Sequence, residues 1–222
     1  KLAYARDALM RRAEEAGVGP VAVACAEPEI AEAVHAAGGT AVLTDADLPS
    51  GSDRCFQALA ALDPEGRHDV VVNLQGDLPT LDPAAVRTVL APLSDPSCDI
   101  ATLVTPIRDA GEATAPNFVK AAVQFAEGQP YALAPYFSRL PVPSGQGPLW
   151  HHIGIYAWRR AALARFVALP PSPLEMREKL EQLRAIEAGM RIFCARIDTA
   201  PFGVDTPEDL ARARAILEIP HA

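Results

Sequence analysis

Apolar positions along the chain alternate between a helical and a strand-like rhythm. Residues 4 to 17 (YARDALMRRAEEAG) put Leu9, Met10 and Ala13 on one stripe, with charges opposite and Gly17 as a stop, which predicts an amphipathic helix. PVAVAC (20 to 25) is a short apolar run suited to a strand buried on both faces. EPEIAEAVHAAGG (27 to 39) then predicts a helix that starts at Pro28 and ends at Gly38-Gly39. The same alternation continues with a strand at TAVLT (40 to 44), a polar loop to Gly51, a helix over 52 to 62 and a strand at DVVVNLQ (69 to 75). A helix over PAAVRTVLAPL (83 to 93) and a strand over DIATLVTPI (99 to 107) follow. Strands separated by helices of this length are the mark of βαβ units, so the first half reads as a Rossmann-like nucleotide-binding layer with a mostly parallel sheet.

The second half has a different rhythm. FVKAAVQFAEGQPYALAPYF (118 to 137) predicts two strands around a Glu-Gly-Gln-Pro turn, and PVPSGQGPLW (141 to 150) a Pro/Gly-rich loop. A strand at IGIYAW, a helix at RRAALARFVAL, a longer helix over 172 to 190 with Ser172 as N-cap, a strand over 191 to 197 and a last helix at TPEDLARARAILE complete the pattern.

At 222 residues the chain fits a single α/β domain, and half of its residues are apolar. Its 28 acids against 20 bases, a formal charge of -8, argue against a nucleic-acid surface. Cys25, Cys55, Cys98 and Cys194 are widely spaced, without a C-x-x-C pair, and read as reduced thiols of a cytoplasmic protein. The longest apolar runs are of strand length, so no membrane span and no membrane partner are expected.

Candidate chemistry gathers where strands end. In an open parallel sheet, ligands collect beyond the carboxyl ends of the strands, and Asp77 follows the most strand-like run of the chain. Its carboxylate suits a divalent cation carrying substrate phosphates; a capped β-turn explains the same residues without a ligand. Thr206, Pro207 and Asp209 read as a helix start with a capping box, which leaves Asp205 as a second candidate metal ligand. Ser50-Gly51-Ser52-Asp53-Arg54 enters a helix, where backbone N–H groups and hydroxyls suit an anion or the edge of a base, or simply cap the helix. Arg139 is positioned either to pair with a carboxylate or to be solvated. Gly17-x-Gly19 precedes a strand instead of following one, which argues against a dinucleotide-binding dehydrogenase.

Taken in order, SGSDR (50 to 54), NLQGDLP (73 to 79), YFSR (136 to 139), HIGIY (152 to 156), PPSPLE (170 to 175), LEQLR (180 to 184) and GVDTPEDL (203 to 210) resemble the 3-deoxy-manno-octulosonate (Kdo) cytidylyltransferases, from about Ala8 to Leu217. The resemblance implies a three-layer α/β/α nucleotidyltransferase fold with a mostly parallel mixed sheet and a smaller β-rich dimerisation subregion, with 118 to 190 as the sugar-binding and dimerisation part. It implies Mg2+-dependent transfer of CMP from CTP to Kdo, with release of pyrophosphate, for lipopolysaccharide synthesis, by a homodimer. By the same likeness Asp77 and Asp205 become the catalytic metal ligands. Ser50, Gly51, Ser52, Arg54 and Gln75 fall at CTP-binding positions, and Gln75, Arg139, His152, Tyr156, Glu181 and Gln182 at sugar-binding ones. A polyhydroxylated sugar acid needs the forked donors and acceptors that Gln, His, Tyr and Glu supply.

Two departures stand out. The family opens with a strand and a phosphate-gripping loop of the type A-R-x-x-S-x-R-L-P-G-K-P-L, whereas this chain begins KLAYARDAL, so the likeness implies a segment ahead of Lys1. Ala24-Cys25-Ala26 also stands where relatives often have Ala-Thr-Asp. The competing expectations are a CMP-sialic acid synthetase and a catalytically dead nucleotide-binding protein lacking the phosphate loop.

Overall fold

Each strand and helix that the periodicity predicts has a counterpart in the computed structural model, which describes residues 2–204 and 206–218, with side chains over 8–204 and 206–217. The first half holds α1 (Leu2–Ala16), β1 (Val23–Cys25), α2 (Pro28–Ala36), β2 (Ala41–Leu43), α3 (Gly51–Leu62), β3 (Val70–Asn73), α4 (Pro83–Thr88) and β4 (Ile100–Pro106). It is followed by α5 (Ala110–Thr114), β5 (Lys120–Ala122), β6 (Tyr131–Leu133), β7 (Tyr136–Ser138), β8 (Trp150–Arg159) and α6 (Arg160–Val167). The chain then runs through α7 (Pro173–Glu178), α8 (Gln182–Glu187), β9 (Ile192–Arg196) and α9 (Pro207–Glu218). These elements form two compact units, one made of residues 1–67, 73–87 and 201–222, the other of 68–72 and 88–200.

In the first unit β1 and β2 pair in parallel with Val23 opposite Ala41, as a βαβ connection through α2 requires. The predicted stripe of α1 is buried at Leu9, Met10 and Ala13. A Cβ on Gly39 would run into the thioether of Met10, which would have to move aside to admit it. Arg87 Nη1 donates to the Ala16 carbonyl at 3.2 Å and so satisfies an acceptor that the end of α1 leaves open. At the start of α9, Thr206 Oγ1 accepts from Asp209 N at 3.1 Å while Asp209 Oδ2 accepts from Thr206 N at 3.0 Å, the expected capping box.

The second unit is built on a sheet in the order β6-β9-β4-β8-β5-β7, with β3 also pairing with β8. β4 and β9 run parallel, while β4–β8, β5–β8, β5–β7 and β6–β9 are antiparallel. The sheet is therefore mixed, with a larger antiparallel share than strand–helix alternation alone implies. Six of the seven residues of β4 are buried. Ile155 and Trp158 of β8, Phe166 of α6, Leu183 of α8 and Ile192 of β9 join them in the core.

Three predicted elements are subdivided. The helix expected over 83 to 93 stops at Thr88 and gives way to a short 3-10 turn over Ala91–Ser94. Pro92 lacks the N–H that a continuing helix needs and disfavours helical backbone at Ala91. The segment 118 to 137 makes three strands instead of two. The helix expected over 172 to 190 is broken by Lys179, which takes the left-handed conformation at φ 58°. That conformation is uncommon for a residue with a Cβ and needs outside support. Arg139 supplies it, donating from Nε to the Glu178 carbonyl at 2.8 Å and from Nη2 to the Lys179 carbonyl at 3.1 Å.

The two halves of the broken helix are clamped by charge. Ser172 caps α7 in a full capping box with Glu175. The same Glu175 carboxylate takes both Nε and Nη2 of Arg184 on α8, with Nε at 2.8 Å. Both side chains are largely buried, at 13% and 7% exposure. Arg184 also lies over the Phe166 ring, 4.8 Å from its centre. Removing one partner of a buried pair strands the other charge, at a cost of about 3 kcal/mol or more. Glu175→Ala should therefore lower the free energy of urea unfolding by about 3 kcal/mol. A loss under about 0.5 kcal/mol, the value for an exposed pair, would contradict the clamp.

Candidate functional site

The first unit presents two loops beyond its strand ends. Ser50 caps α3: its Oγ accepts from Asp53 N at 3.2 Å and donates to Asp53 Oδ2 at 2.6 Å. The Ser50 side chain is thus held by the 12-residue helix it starts, at the end where the helix dipole favours an anion. Ser52 is fully buried. Arg54 Nη1 donates to Thr44 Oγ1 and, at 3.2 Å, to the Asp45 carbonyl. Thr44 in turn donates from Oγ1 to the Cys25 carbonyl at 3.2 Å. This chain of bonds ties the carboxyl ends of β1 and β2 to α3. Gln57 reinforces it, accepting from Asp45 N at 2.8 Å and donating to Asp45 Oδ2 at 2.7 Å.

The loop after β3 lies against the same helix start. A Cβ built on Gly51 would sit 3.7 Å from both amide heteroatoms of Gln75, an ordinary contact distance that places the Gln75 side chain against the first turn of α3. Gly76 and Asp77 are exposed at the tip of the turn. The turn is stitched to the segment before α9: Val204 N donates to the Asp77 carbonyl at 2.8 Å, and Thr80 Oγ1 bonds Phe202 N at 2.7 Å and its carbonyl at 3.3 Å. Asp205 lies outside the described residues.

The second unit gathers a different set. His152 and Tyr156 are buried neighbours on β8, with ring centres 5.5 Å apart, and the Phe137 ring stands edge-on to His152 at 4.9 Å. His152 Nε2 lies 3.0 Å from Thr102 Oγ1. Burial and the neighbouring His151 push the His152 pKa down to about 3, so the imidazole is neutral. Burial, the Glu181 carboxylate and Cys194 hold the Tyr156 phenol well above its usual range, so it keeps its proton. Glu181 is the N-cap of α8, and Gln182 next to it is 3% exposed. The Gln182 Nε2 group is buried without a hydrogen-bond partner among the described residues. Buried amide donors are nearly always paired, and this one shares its open state with Asn73 Nδ2 and the Nε1 groups of Trp150 and Trp158.

Of the residues singled out from the sequence, Ser50, Gly51, Ser52, Arg54, Gln75 and Asp77 fall together in one unit, and Arg139, His152, Tyr156, Glu181 and Gln182 in the other. Arg139 has a structural occupation that its sequence context did not reveal. Besides holding Glu178 and Lys179, its Nη1 donates to the Pro116 carbonyl at 3.1 Å and its N–H to Glu178 Oε2 at 3.1 Å. Sequence reasoning also missed Thr102, Lys120 and Glu178. Lys120 is fully buried, with Nζ donating to the carbonyls of Ala115 at 2.7 Å and Arg139 at 3.2 Å. Glu178 collects Tyr136, Ser138 and the Arg139 amide.

The four cysteines are free thiols. Burial pushes Cys55 up to about 11 and Cys98 up to about 12, which leaves neither a ready nucleophile. Among the described residues no three His, Cys, Asp or Glu side chains cluster as a metal cage. A magnesium site needs no such cage, since one or two carboxylates with substrate phosphates and waters suffice. The exposed carboxylate of Asp77 on a stitched turn fits that description.

Comparison with known proteins identifies the family and the fold. The profile of the cytidylyltransferase family matches residues 7–192. A 3-deoxy-manno-octulosonate cytidylyltransferase of Paramagnetospirillum magneticum is 61% identical over 208 residues, 94% of this chain and 85% of that protein. The protein of the same name from Parvibaculum lavamentivorans is 64% identical over 93% of this chain and 80% of its own length. The solved structure of a CMP:2-keto-3-deoxy-manno-octonic acid synthetase complexed with CTP superposes with a TM-score of 0.86 at 37% identity, covering 96% of this chain and 87% of that one. A 4-diphosphocytidyl-2C-methyl-D-erythritol synthase, at 14% identity and a TM-score of 0.61 over 96% and 90% of the two chains, shares the fold. The chain belongs to the 3-deoxy-manno-octulosonate cytidylyltransferase family.

Proposed function

We propose that this protein activates Kdo, transferring the cytidylyl group of CTP to the anomeric hydroxyl of the sugar acid and releasing pyrophosphate, for lipopolysaccharide synthesis in the cytoplasm. The observation that carries the sugar half of this reading is the buried, unpartnered amide of Gln182, in the same unit as neutral His152, protonated Tyr156 and Glu181. Such a mixture of donors and acceptors suits a molecule rich in hydroxyls. The nucleotide half rests on the α3 start, where Ser50 holds the helix cap, Arg54 ties it to the strand ends and Gln75 lies over Gly51. A helix N-terminus of this kind favours the phosphates of CTP or the edge of its base.

The chain's own groups bind and orient. A sugar hydroxyl attacking the α-phosphate in line needs no covalent protein intermediate, and positioning with charge stabilisation accounts for the rate. Asp77, with Asp205, would hold Mg2+, which when bound neutralises charge on the phosphates. Support for this pairing is the bond from Val204, the residue before Asp205, to the Asp77 carbonyl. His152 is too weak a base to take the sugar's proton, since its pKa stands near 3.

We further read the protein as a homodimer, as the family resemblance implies, with Leu140 and Met176 of the second unit, 67% and 53% exposed, as candidate contact residues. Sedimentation equilibrium should return twice the chain mass, and a monomer at micromolar concentration would count against it. For the catalytic reading, Asp77→Ala should reduce pyrophosphate release from CTP and Kdo by about a hundredfold or more while the unfolding transition stays in place. Activity within a few-fold of the parent would remove Asp77 from the metal site.

A further inference from the structure

Thr102 is a fully buried polar residue in the middle of β4, and its hydroxyl has three neighbours. Oγ1 lies 2.8 Å from the Ile155 carbonyl, 3.1 Å from the Ile153 carbonyl and 3.0 Å from His152 Nε2. The β4–β8 register breaks at this point: Thr102 faces Tyr156 while the next residue, Leu103, faces Ile153. Gly154 and Ile155 are therefore extra residues of β8, and the Thr102 hydroxyl fills the gap this bulge leaves in the ladder.

A hydroxyl has one proton to donate. Two of its three neighbours are carbonyl oxygens, which can only accept, so the proton points to a carbonyl, the nearer being that of Ile155. With the hydroxyl's one proton shared between the two carbonyls, Nε2–H donating to Oγ1 is the arrangement that gives the 3.0 Å contact a proton of its own. Burial keeps the ring neutral, so a single N–H is available, and it is on Nε2. Nδ1 is left as an acceptor. The edge-on Phe137 ring and the adjacent Tyr156 ring fix the plane in which it points.

We infer that Thr102 is a positioning residue that locks His152 in the Nε2–H tautomer, so that Nδ1 accepts a hydrogen bond from a hydroxyl group of the sugar acid. The sugar part of this inference rests on the function proposed above; the tautomer does not. His152 then discriminates by reading a hydroxyl donor. It is neither a cation for the sugar's carboxylate nor a general base.

The test combines spectroscopy with kinetics. In 15N-histidine-labelled protein at neutral pH, the His152 signals, assigned by their loss in His152→Asn, should show a protonated, pyrrole-like Nε2 and a bare, pyridine-like Nδ1. A protonated Nδ1 overturns the proposal. Thr102→Val should release the tautomer preference and raise KM for Kdo about tenfold, the effect of one neutral hydrogen bond. KM for CTP and kcat should stay within about twofold, since the residue acts only through His152. Thr102→Ser, which restores the hydroxyl, should restore both readouts. A Thr102→Val enzyme with the parent's tautomer and KM overturns the proposal; should that variant not fold, the parent spectrum and Thr102→Ser decide. If Kdo is not a substrate at all, the sugar reading fails, while the spectrum still decides the tautomer.

Discussion

Burial of β4 on both sides is the constraint from which the second unit follows. Its apolar run pairs in parallel with β9 and antiparallel with β8, and six of its seven residues are out of water. A strand in that position cannot leave a polar group unmatched, yet Thr102 and Thr105 both lie within it. Thr102 is matched by bulging the partner strand, and the bulge delivers two carbonyls and an imidazole to one hydroxyl. The same distortion sets His152 and Tyr156 side by side on β8. Core packing and substrate chemistry thus meet at one residue.

The placement of Glu181 and Gln182, proposed above to face the sugar, depends on a second constraint, the turn at Lys179. A continuous helix over 172 to 190 would carry Glu181 and Gln182 on regular helical positions. Left-handed backbone at Lys179 breaks it, and Arg139 and the Glu175–Arg184 pair hold the pieces in their new relation. Arg139 reaches three carbonyls from two stretches of chain, so its charge is used to fasten backbone. In the first unit the corresponding fastening is done by Thr80 and Val204, which stitch the turn bearing Asp77 to the segment ahead of α9.

Much of this was readable from the chain itself, and the readable parts were local. The N-caps at Ser50 and Ser172 and the Thr206–Asp209 box depend on residues three apart, so their signatures survive without tertiary knowledge. The strands of the first half announce themselves as short apolar runs between helices. The break at Lys179 left no local mark, because a lysine is a good helix former and its left-handed backbone is imposed by an arginine 40 residues away. The Pro/Gly-rich composition of 141 to 150 predicts a loop through Trp150, although this residue opens the longest strand of the sheet, since its pairing partner Pro106 is remote in sequence. Thr102 inside ATLVT looks like an ordinary β-branched strand residue. Its role needs the register of β8, which no window of sequence contains. The family likeness led to the candidate site residues, but neither to the clasp formed by Arg139 nor to the hydroxyl behind His152.

The central claim is that this chain joins CMP from CTP to a Kdo hydroxyl. Phosphorus NMR of the reaction mixture tests it most directly, with CTP, Mg2+ and either Kdo or a sialic acid. With Kdo, the account predicts that the three CTP resonances give way to one phosphodiester signal and free pyrophosphate, while CTP persists with the sialic acid. Intact CTP in the presence of Kdo, or its consumption with the sialic acid instead, would contradict the account.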